Sequence, residues 1–182
     1  DTLFEGKALR TSENVRQAYG EARAFGKALA KRGKGSGFMK NLMEQRICSS
    51  IHAGLSTARR LLEGDAVHEE DEEQEGDVNV ETGEEREVLQ RLIDRLERLE
   101  TDPKMEAVVH FLDKEKWLEL GVIIFSQYYD TARWLADLLA ARYPEEAVGL
   151  YAGAGRSRLY QGGDSVSVER ETLKRMVAEH QI

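Results

Sequence analysis

The feature that most limits what this chain can fold into is an acidic stretch near its middle. Residues 63–87 contain 13 Asp and Glu and a single base, Arg86, which gives a net charge of −12. Because like charges repel and apolar side chains are few, we predict a disordered loop over residues 63–85. The stretch separates a basic segment of net charge +7 (residues 1–62) from a body of net charge −3 (residues 88–182).

Composition narrows the class of protein. A chain of 182 residues forms one ordinary domain or two small ones. The four His and the single Cys48 exclude a disulfide framework and a Cys-based zinc site, so we expect a cytoplasmic protein. Cys48 lies in a helical pattern and is expected to be a small buried residue. No run reaches the roughly 18 apolar residues of a membrane span, and we expect the sequence to be part of a longer protein.

The basic segment has the three- and four-residue apolar spacing of amphipathic helices. This spacing predicts one helix over residues 12–32, with Ser12 as its N-cap, and a second, longer helix over residues 37–62. After the acidic loop, leucines at 3–4–3 steps predict a helix near residues 86–100 (Leu89, Leu92, Leu96 and Leu99). Such a short seam is typical of packing on a neighbouring helix of the same chain.

The remainder of the chain alternates between helices and strands. Asp102 and Pro103 predict the start of a helix, and continuous apolarity over Val122–Phe125 predicts a strand buried on both faces. A helix over Thr131–Arg142 and a strand over residues 147–151 would complete a β-α-β unit with parallel strands. A glycine-rich loop (152–167) and a last helix (168–180) follow.

Polar residues come directly after each predicted strand, where open α/β sheets bind ligands. Ser126 and Gln127 follow the first strand, and Gly153, Arg156 and Arg158 follow the second. Glycine admits close approach of a backbone, and arginine suits phosphate contact. The alternative is an ordinary surface loop with solvated arginines.

Catalytic patterns are missing from the sequence. "GKGSG" (33–37) does not have the order of a phosphate-binding P-loop, and "GAGRS" (153–157) lacks the third glycine of a dinucleotide fingerprint. We find no nucleophile–His–acid set and no metal-ligand spacing, so we predict no catalytic residue and no metal site. His68 lies among carboxylates, and a solvated acidic linker accounts for it better than metal binding.

The order of the segments resembles a known family. "DPKMEAVVHFLDKEKWLELGVIIFSQYYDTARWLADLL" (102–139) is similar to the start of the second RecA-like lobe of superfamily 2 helicases, especially the Swi/Snf-type DNA-translocating ATPases. "VIIFSQ" (122–127) resembles their motif IV. "VGLYAG" (148–153) and "ERETLKRM" (169–176) resemble the following strand and helix, and "MEQRICSSIHAGLSTARRLL" (43–62) resembles the helices that bacterial members carry between their two lobes.

The resemblance implies a fold class and a domain order. We expect an α/β protein in which a basic helical segment (1–62) and the acidic loop (63–85) precede helices and an incomplete RecA-like, parallel-sheet lobe (86–182). The parent protein would use ATP and Mg²⁺ to move along double-stranded DNA, and this chain alone would bind no cofactor and hydrolyse no ATP. Its partners would be DNA, the missing first motor lobe and, through unpaired sheet edges, a second copy of the chain.

Two hypotheses of different classes therefore stand. In the first, the chain is the part of a motor whose strand ends hold nucleic acid (Ser126, Gln127, Gly153, Arg156, Arg158 and Arg170), and the basic helices lie near the phosphate backbone. In the second, the helices form a docking module for a partner protein, and the β-α-β unit is scaffold.

Overall fold

The computed structural model of the chain describes residues 12–31, 36–64, 80–99, 101–153 and 155–182, with only the backbone described at 36–38. It divides into two units, one ending at His110 and the other beginning at Phe111. The helices that follow the acidic stretch, which the sequence analysis joined to the C-terminal lobe, fall mainly in the first unit. Most of the predicted acidic loop, including His68, lies outside the described residues, as does most of the glycine-rich break after residue 32.

The first unit contains a four-helix bundle. Its helices are α1 (Glu13–Ala30), α2 (Ser36–Ser49), α3 (Ile51–Glu63) and α4 (Gly83–Glu97). Helix α1 packs on α2 and α4, and α3 packs on the same two helices. The apolar stripes enclose one core, in which the largest fully buried hydrophobic side chains are Phe25, Leu29, Met39, Leu42, Met43, Leu61, Leu89, Leu92 and Leu96. The leucine seam of α4 therefore packs within the chain, as predicted.

The long helix predicted over residues 37–62 is wrong in one respect, because the chain breaks at Ser50. This residue is extended (φ −161°), and its hydroxyl accepts a hydrogen bond from the Ala53 amide at 3.0 Å, so it is the N-cap of α3. The apolar pattern continues across the break because both helices face the same core. Periodicity alone therefore could not detect it.

The predicted loop also ends earlier than residue 85. Val80 is buried in the bundle core, and Thr82 and Glu85 form a capping box at the start of α4. The buried Glu85 carboxylate accepts hydrogen bonds from the amides of Glu81 at 2.8 Å and Thr82 at 3.1 Å. Local capping therefore orders the end of this stretch, which was predicted to be disordered because of its net charge.

Asp102 joins the starts of two helices. One carboxylate oxygen accepts the amide of Ile51, the first residue of α3, at 2.7 Å. The other accepts the amide of Lys104 at 2.9 Å, which caps α5 (Pro103–Asp113) as the sequence predicted. The side chain is nearly buried, so these bonds form away from bulk water.

We predict that Asp102→Ala lowers the free energy of unfolding by about 2 kcal/mol, because backbone amides at two helix starts lose their acceptor. Urea unfolding followed by far-UV circular dichroism measures the change. Glu87→Ala removes an exposed carboxylate of α4 and is the control, with an expected change below about 0.5 kcal/mol. Equal stability of the two variants would contradict the role assigned to Asp102.

The second unit holds a three-stranded sheet. It contains a 3₁₀ turn (Trp117–Leu120), α6 (Tyr129–Arg142), β1 (Val148–Leu150), β2 (Arg158–Gln161), β3 (Asp164–Ser167) and α7 (Arg170–Ala178). The order is β1-β2-β3 and both pairings are antiparallel. The glycine-rich loop predicted over 152–167 thus contains a hairpin, whose turn is made by two glycines of positive φ, Gly162 and Gly163.

The parallel β-α-β arrangement expected from the sequence is not present in the described residues. Strand β1 pairs antiparallel with β2, and Val122–Phe125 lies in no strand. The physical reason is that an apolar run becomes a strand only where a neighbouring strand supplies hydrogen bonds. What the structure has is a mostly helical chain with a small antiparallel sheet near its C-terminus.

Residues of α6 and α7 approach β1 from opposite sides, although Gly149 itself is exposed. Leu150 packs with Ala136 of α6 on one face. On the other face, a Cβ added to Gly149 would lie 2.8 Å from Ile182 and 3.3 Å from Leu173 of α7. The absence of a side chain at Gly149 therefore lets α7 and the following residues approach the strand closely. The layers of this unit are α6, the sheet and α7.

Residues 122–125 are apolar yet accessible. Ile123 is 68% exposed and Phe125 is 92% exposed. Their backbone groups make no hydrogen bond to any part of the chain that the structure describes. An exposed apolar segment with unpaired backbone groups is a template for pairing with another strand.

We predict that the chain self-associates through this segment and that Ile123→Lys plus Phe125→Lys makes it monomeric. Charged side chains raise the free energy of burying the segment against a second copy. Light scattering across a concentration series measures the effect. Val177→Lys, which changes an exposed apolar residue of α7, is the control and should leave the association unchanged. A wild-type chain that stays monomeric at high concentration would contradict the prediction.

Candidate functional site

The residues before α6 form a tight turn. The Ser126 hydroxyl accepts a hydrogen bond from the Tyr128 amide at 3.3 Å and donates one to the Tyr128 carbonyl at 3.1 Å. Gln127, between them, is exposed. Tyr128 is the N-cap residue of α6 and makes no side-chain cap. Ser126 therefore positions the start of the helix, and Gln127 projects from it.

A second turn follows β1 and is held by Ser157. This side chain is fully buried, and its hydroxyl accepts from the Ala152 amide at 3.0 Å and donates to the Ala152 carbonyl at 2.8 Å. The Arg156 amide donates to the Gly153 carbonyl at 3.1 Å. Gly155 has a φ of +69°, which favours glycine. One hydroxyl thus closes the turn that carries Gly153 and Arg156.

We predict that Ser157→Ala opens this turn, because the Ala152 amide loses its acceptor. Hydrogen exchange measured by NMR should show that the Ala152 amide exchanges at least tenfold faster, which corresponds to about 1.4 kcal/mol. Ser167→Ala, an exposed hydroxyl at the end of β3, is the control. Unchanged exchange at Ala152 would show that other contacts hold the turn.

Two arginines at this end of β1 stack on tyrosines. The Arg156 guanidinium lies 4.2 Å from the ring centroid of Tyr129, the first residue of α6. The Arg170 guanidinium lies 4.7 Å from the ring centroid of Tyr151 and also donates to its hydroxyl at 2.8 Å. Because stacking on a ring restricts the side-chain rotamers, both guanidinium groups are held near the strand end.

Both helices of this unit begin at the same edge of the sheet. Tyr129 starts α6 and Arg170 starts α7, and each contacts the turn or residue that follows β1. Neither N-cap residue, Tyr128 or Glu169, makes a side-chain cap. Helix N-termini carry partial positive charge, so two of them add to the charge of the arginines. The first turns also contain acids, and one of these, Glu171, pairs with Lys174 at 2.6 Å.

Arg158 stabilises the β2–β3 hairpin. It lies on β2, and its guanidinium donates to the Ser165 carbonyl at 3.1 Å and to the Ser165 hydroxyl at 2.8 Å. The structure therefore gathers Ser126, Gln127 and Arg156 around the start of α6, and Gly153 and Arg170 around the end of β1. The side-chain hydrogen bonds of Arg158 are with β3.

Sequence reasoning missed two parts of this site. The first is the hairpin, whose Gly162-Gly163 pair between two short polar-apolar runs was the available indication. The second is the pair of stacking rings, Tyr129 and Tyr151. No local pattern predicts them, because each ring meets its arginine only after the chain has folded back.

Cys48 differs from its predicted environment. It is exposed, and its sulfur lies 2.8 Å from the Tyr19 hydroxyl. Burial, and next the bond to Cys48, raise the pKa of Tyr19 above its ordinary value. The thiol therefore packs beside α1 as a hydrogen-bond partner rather than within the core.

Comparison of this chain with protein-family models, with curated proteins and with solved structures finds no match. Within the described parts of the chain, no group of three or more His, Cys, Asp and Glu side chains is placed to hold a metal ion. None of the helices described combines the length and apolarity needed to cross a bilayer.

Proposed function

We propose that the end of β1 is a phosphate-binding edge for nucleic acid. The observation that carries the proposal is the meeting of two helix N-termini with two tyrosine-stacked arginines, Arg156 and Arg170, at one sheet edge. Backbone amides and helix dipoles attract an anion there, and guanidinium groups donate paired hydrogen bonds to phosphate. Gly153 and Gln127 flank the same edge and would contact the backbone of the bound strand.

The wider proposal is that the chain is part of a cytoplasmic, ATP-dependent DNA translocase. The packing of α6 on one face of β1 and the close approach of Leu173 of α7 to Gly149 on the other support a RecA-like arrangement, because strands of that fold lie between helix layers. The unpaired segment 122–125 precedes α6 directly, and in this proposal it is the neighbouring parallel strand. The rest of the sheet and the first motor lobe then belong to the longer protein.

The proposal gives this chain no role in binding ATP or Mg²⁺. Its sequence has no P-loop, and the described carboxylates are not grouped to hold Mg²⁺. ATP and Mg²⁺ would be held by the first lobe. In the proposal, the residues of this chain bind the DNA strand.

The bundle supports DNA binding less than its sequence charge suggests. Several of its bases pair with acids of neighbouring helices, in Arg23–Glu44 at 2.7 Å, Lys31–Glu84 at 2.6 Å and Arg59–Glu97 at 2.7 Å. Each such pair reduces the positive charge that a phosphate backbone would meet. We therefore place the proposed contact at the end of β1.

The same ion pairs favour the second candidate function, a helical docking module without a motor role. A bundle with its own core and internally paired charges suits a scaffold that presents a surface to a protein partner. The leucine seam does not serve this purpose, since Leu89, Leu92 and Leu96 are buried inside the bundle. The docking surface would therefore lie on the polar faces of the helices.

We predict that the 182-residue chain binds duplex DNA and that Arg156→Ala plus Arg170→Ala weakens binding. Two lost phosphate contacts should reduce the slope of log affinity against log salt by about 2, since each contact contributes about 0.9. Fluorescence anisotropy of a labelled duplex at several salt concentrations measures the slope.

The matched control removes the same charge elsewhere in the second unit. Lys114→Ala plus Arg175→Ala changes two exposed bases away from the end of β1, and it should leave the slope nearly unchanged. Equal losses in both double variants would indicate non-specific attraction and overturn the site. No binding at low salt would instead favour the docking module.

A further inference from the structure

Tyr151, the residue directly after β1, carries an aromatic ring that remains accessible. The residue is 46% exposed, whereas Leu150 before it is buried against α6. The Arg170 guanidinium lies over the ring, 4.7 Å from its centroid. Because Arg170 occupies one face, the accessible area lies on the other face and along the ring edge. A flat aromatic surface is therefore open to solvent beside the proposed phosphate contact.

Contacts with Arg170 hold this ring in one orientation. The same guanidinium donates a hydrogen bond to the Tyr151 hydroxyl at 2.8 Å, and Arg170 is itself held as the first residue of α7. A ring engaged at its hydroxyl and on one face has lost much of its rotamer freedom before a ligand binds. Stacking of a planar group on the open face therefore costs little further conformational entropy.

The neighbouring Tyr129 does not offer the same surface. The Arg156 guanidinium lies 4.2 Å from the centroid of its ring, and the ring also packs against the small core around Leu150. Little of this ring is left for a ligand. Of the two tyrosines at the end of β1, Tyr151 is therefore the one that can stack on a bound group.

The backbone beyond Tyr151 leaves room for such a group. Gly153 is exposed, and in the described part of the chain no heavy atom lies within 4 Å of the place where a Cβ on it would stand. A nucleic-acid strand can therefore approach this backbone closely. With its phosphates at Arg156 and Arg170, one of its bases would turn toward the Tyr151 ring.

We propose that the open face of Tyr151 stacks on an unpaired nucleobase, so that this edge holds a single strand by a base as well as by phosphates. The inference rests on the proposed phosphate contact and adds a second recognition element to it. Stacking on an aromatic ring suits every base, because every base has a π-face. Inside a duplex the base faces are covered by their neighbours, so the ligand is a strand with unpaired bases.

Abasic oligonucleotides test the stacking, because they keep the phosphates and lose the bases. The probes are a fluorescently labelled oligothymidylate and an abasic strand of the same length, and fluorescence anisotropy gives the two affinities. We expect the oligothymidylate to bind at least about fivefold more tightly than the abasic strand. Oligouridylate is the RNA probe, and its affinity relative to oligothymidylate shows whether the site favours RNA or DNA.

Single variants assign the base contact to Tyr151 through the ratio of the two affinities. Tyr151→Leu removes an exposed ring, so the fold should be retained, and the ratio should fall to about one. Tyr151→Phe keeps the ring and should keep most of the ratio. Arg156→Ala should weaken binding of both strands and leave the ratio unchanged. The control Trp117→Leu removes a ring of similar exposure, 44%, and should change neither affinity.

The outcomes separate this inference from the proposal on which it rests. Equal affinity of the unmodified chain for both strands, with weaker binding by Arg156→Ala, would overturn the base contact and leave the phosphate contact in place. A ratio that Tyr151→Leu retains, or that Trp117→Leu lowers equally, would also overturn the base contact. No binding of either strand at low salt would overturn both proposals.

Discussion

The second unit depends on the packing of β1 between α6 and α7. Leu150 faces α6, and Gly149 leaves room for Leu173 and Ile182 on the opposite face. Burial of Leu150 against α6 contributes roughly 25 cal/mol for each Å² of apolar surface removed from water. Because both helices run back from the end of the strand, their N-termini meet at one edge. The proposed phosphate site is therefore a direct consequence of how the strand is covered.

The positive charge available to a nucleic acid depends more on what each basic side chain contacts than on the number of basic residues. Residues 1–62 carry a net charge of +7, which suggested that the helices follow DNA. In the folded bundle, Arg23, Lys31 and Arg59 are paired with acids of other helices, and such exposed pairs contribute about 0–1 kcal/mol each. Arg156 and Arg170 lie against tyrosine rings. Stacking holds each guanidinium group at a defined place near the end of β1.

Local sequence patterns predicted most of the helices. They failed where contacts between residues far apart in the sequence determine the structure. The N-caps at Ser12 and Asp102 were predicted because capping is a short-range hydrogen bond. The break at Ser50 was missed because the apolar pattern continues across it, and part of what holds the start of α3 is distant: Asp102, 51 residues beyond Ile51, accepts the amide of Ile51. The strand over 122–125 was predicted from apolarity alone, although strand formation requires a pairing partner.

The sequence assigned Arg156 and Arg158 the same role, because both follow a predicted strand. Side chains alternate in direction along a β-strand, so Arg156 and Arg158 would share a face only if the backbone were regular through both. Here the turn held by Ser157 intervenes, and Arg158 is directed to Ser165 of β3. Tertiary turns of this kind leave no periodic pattern in the sequence.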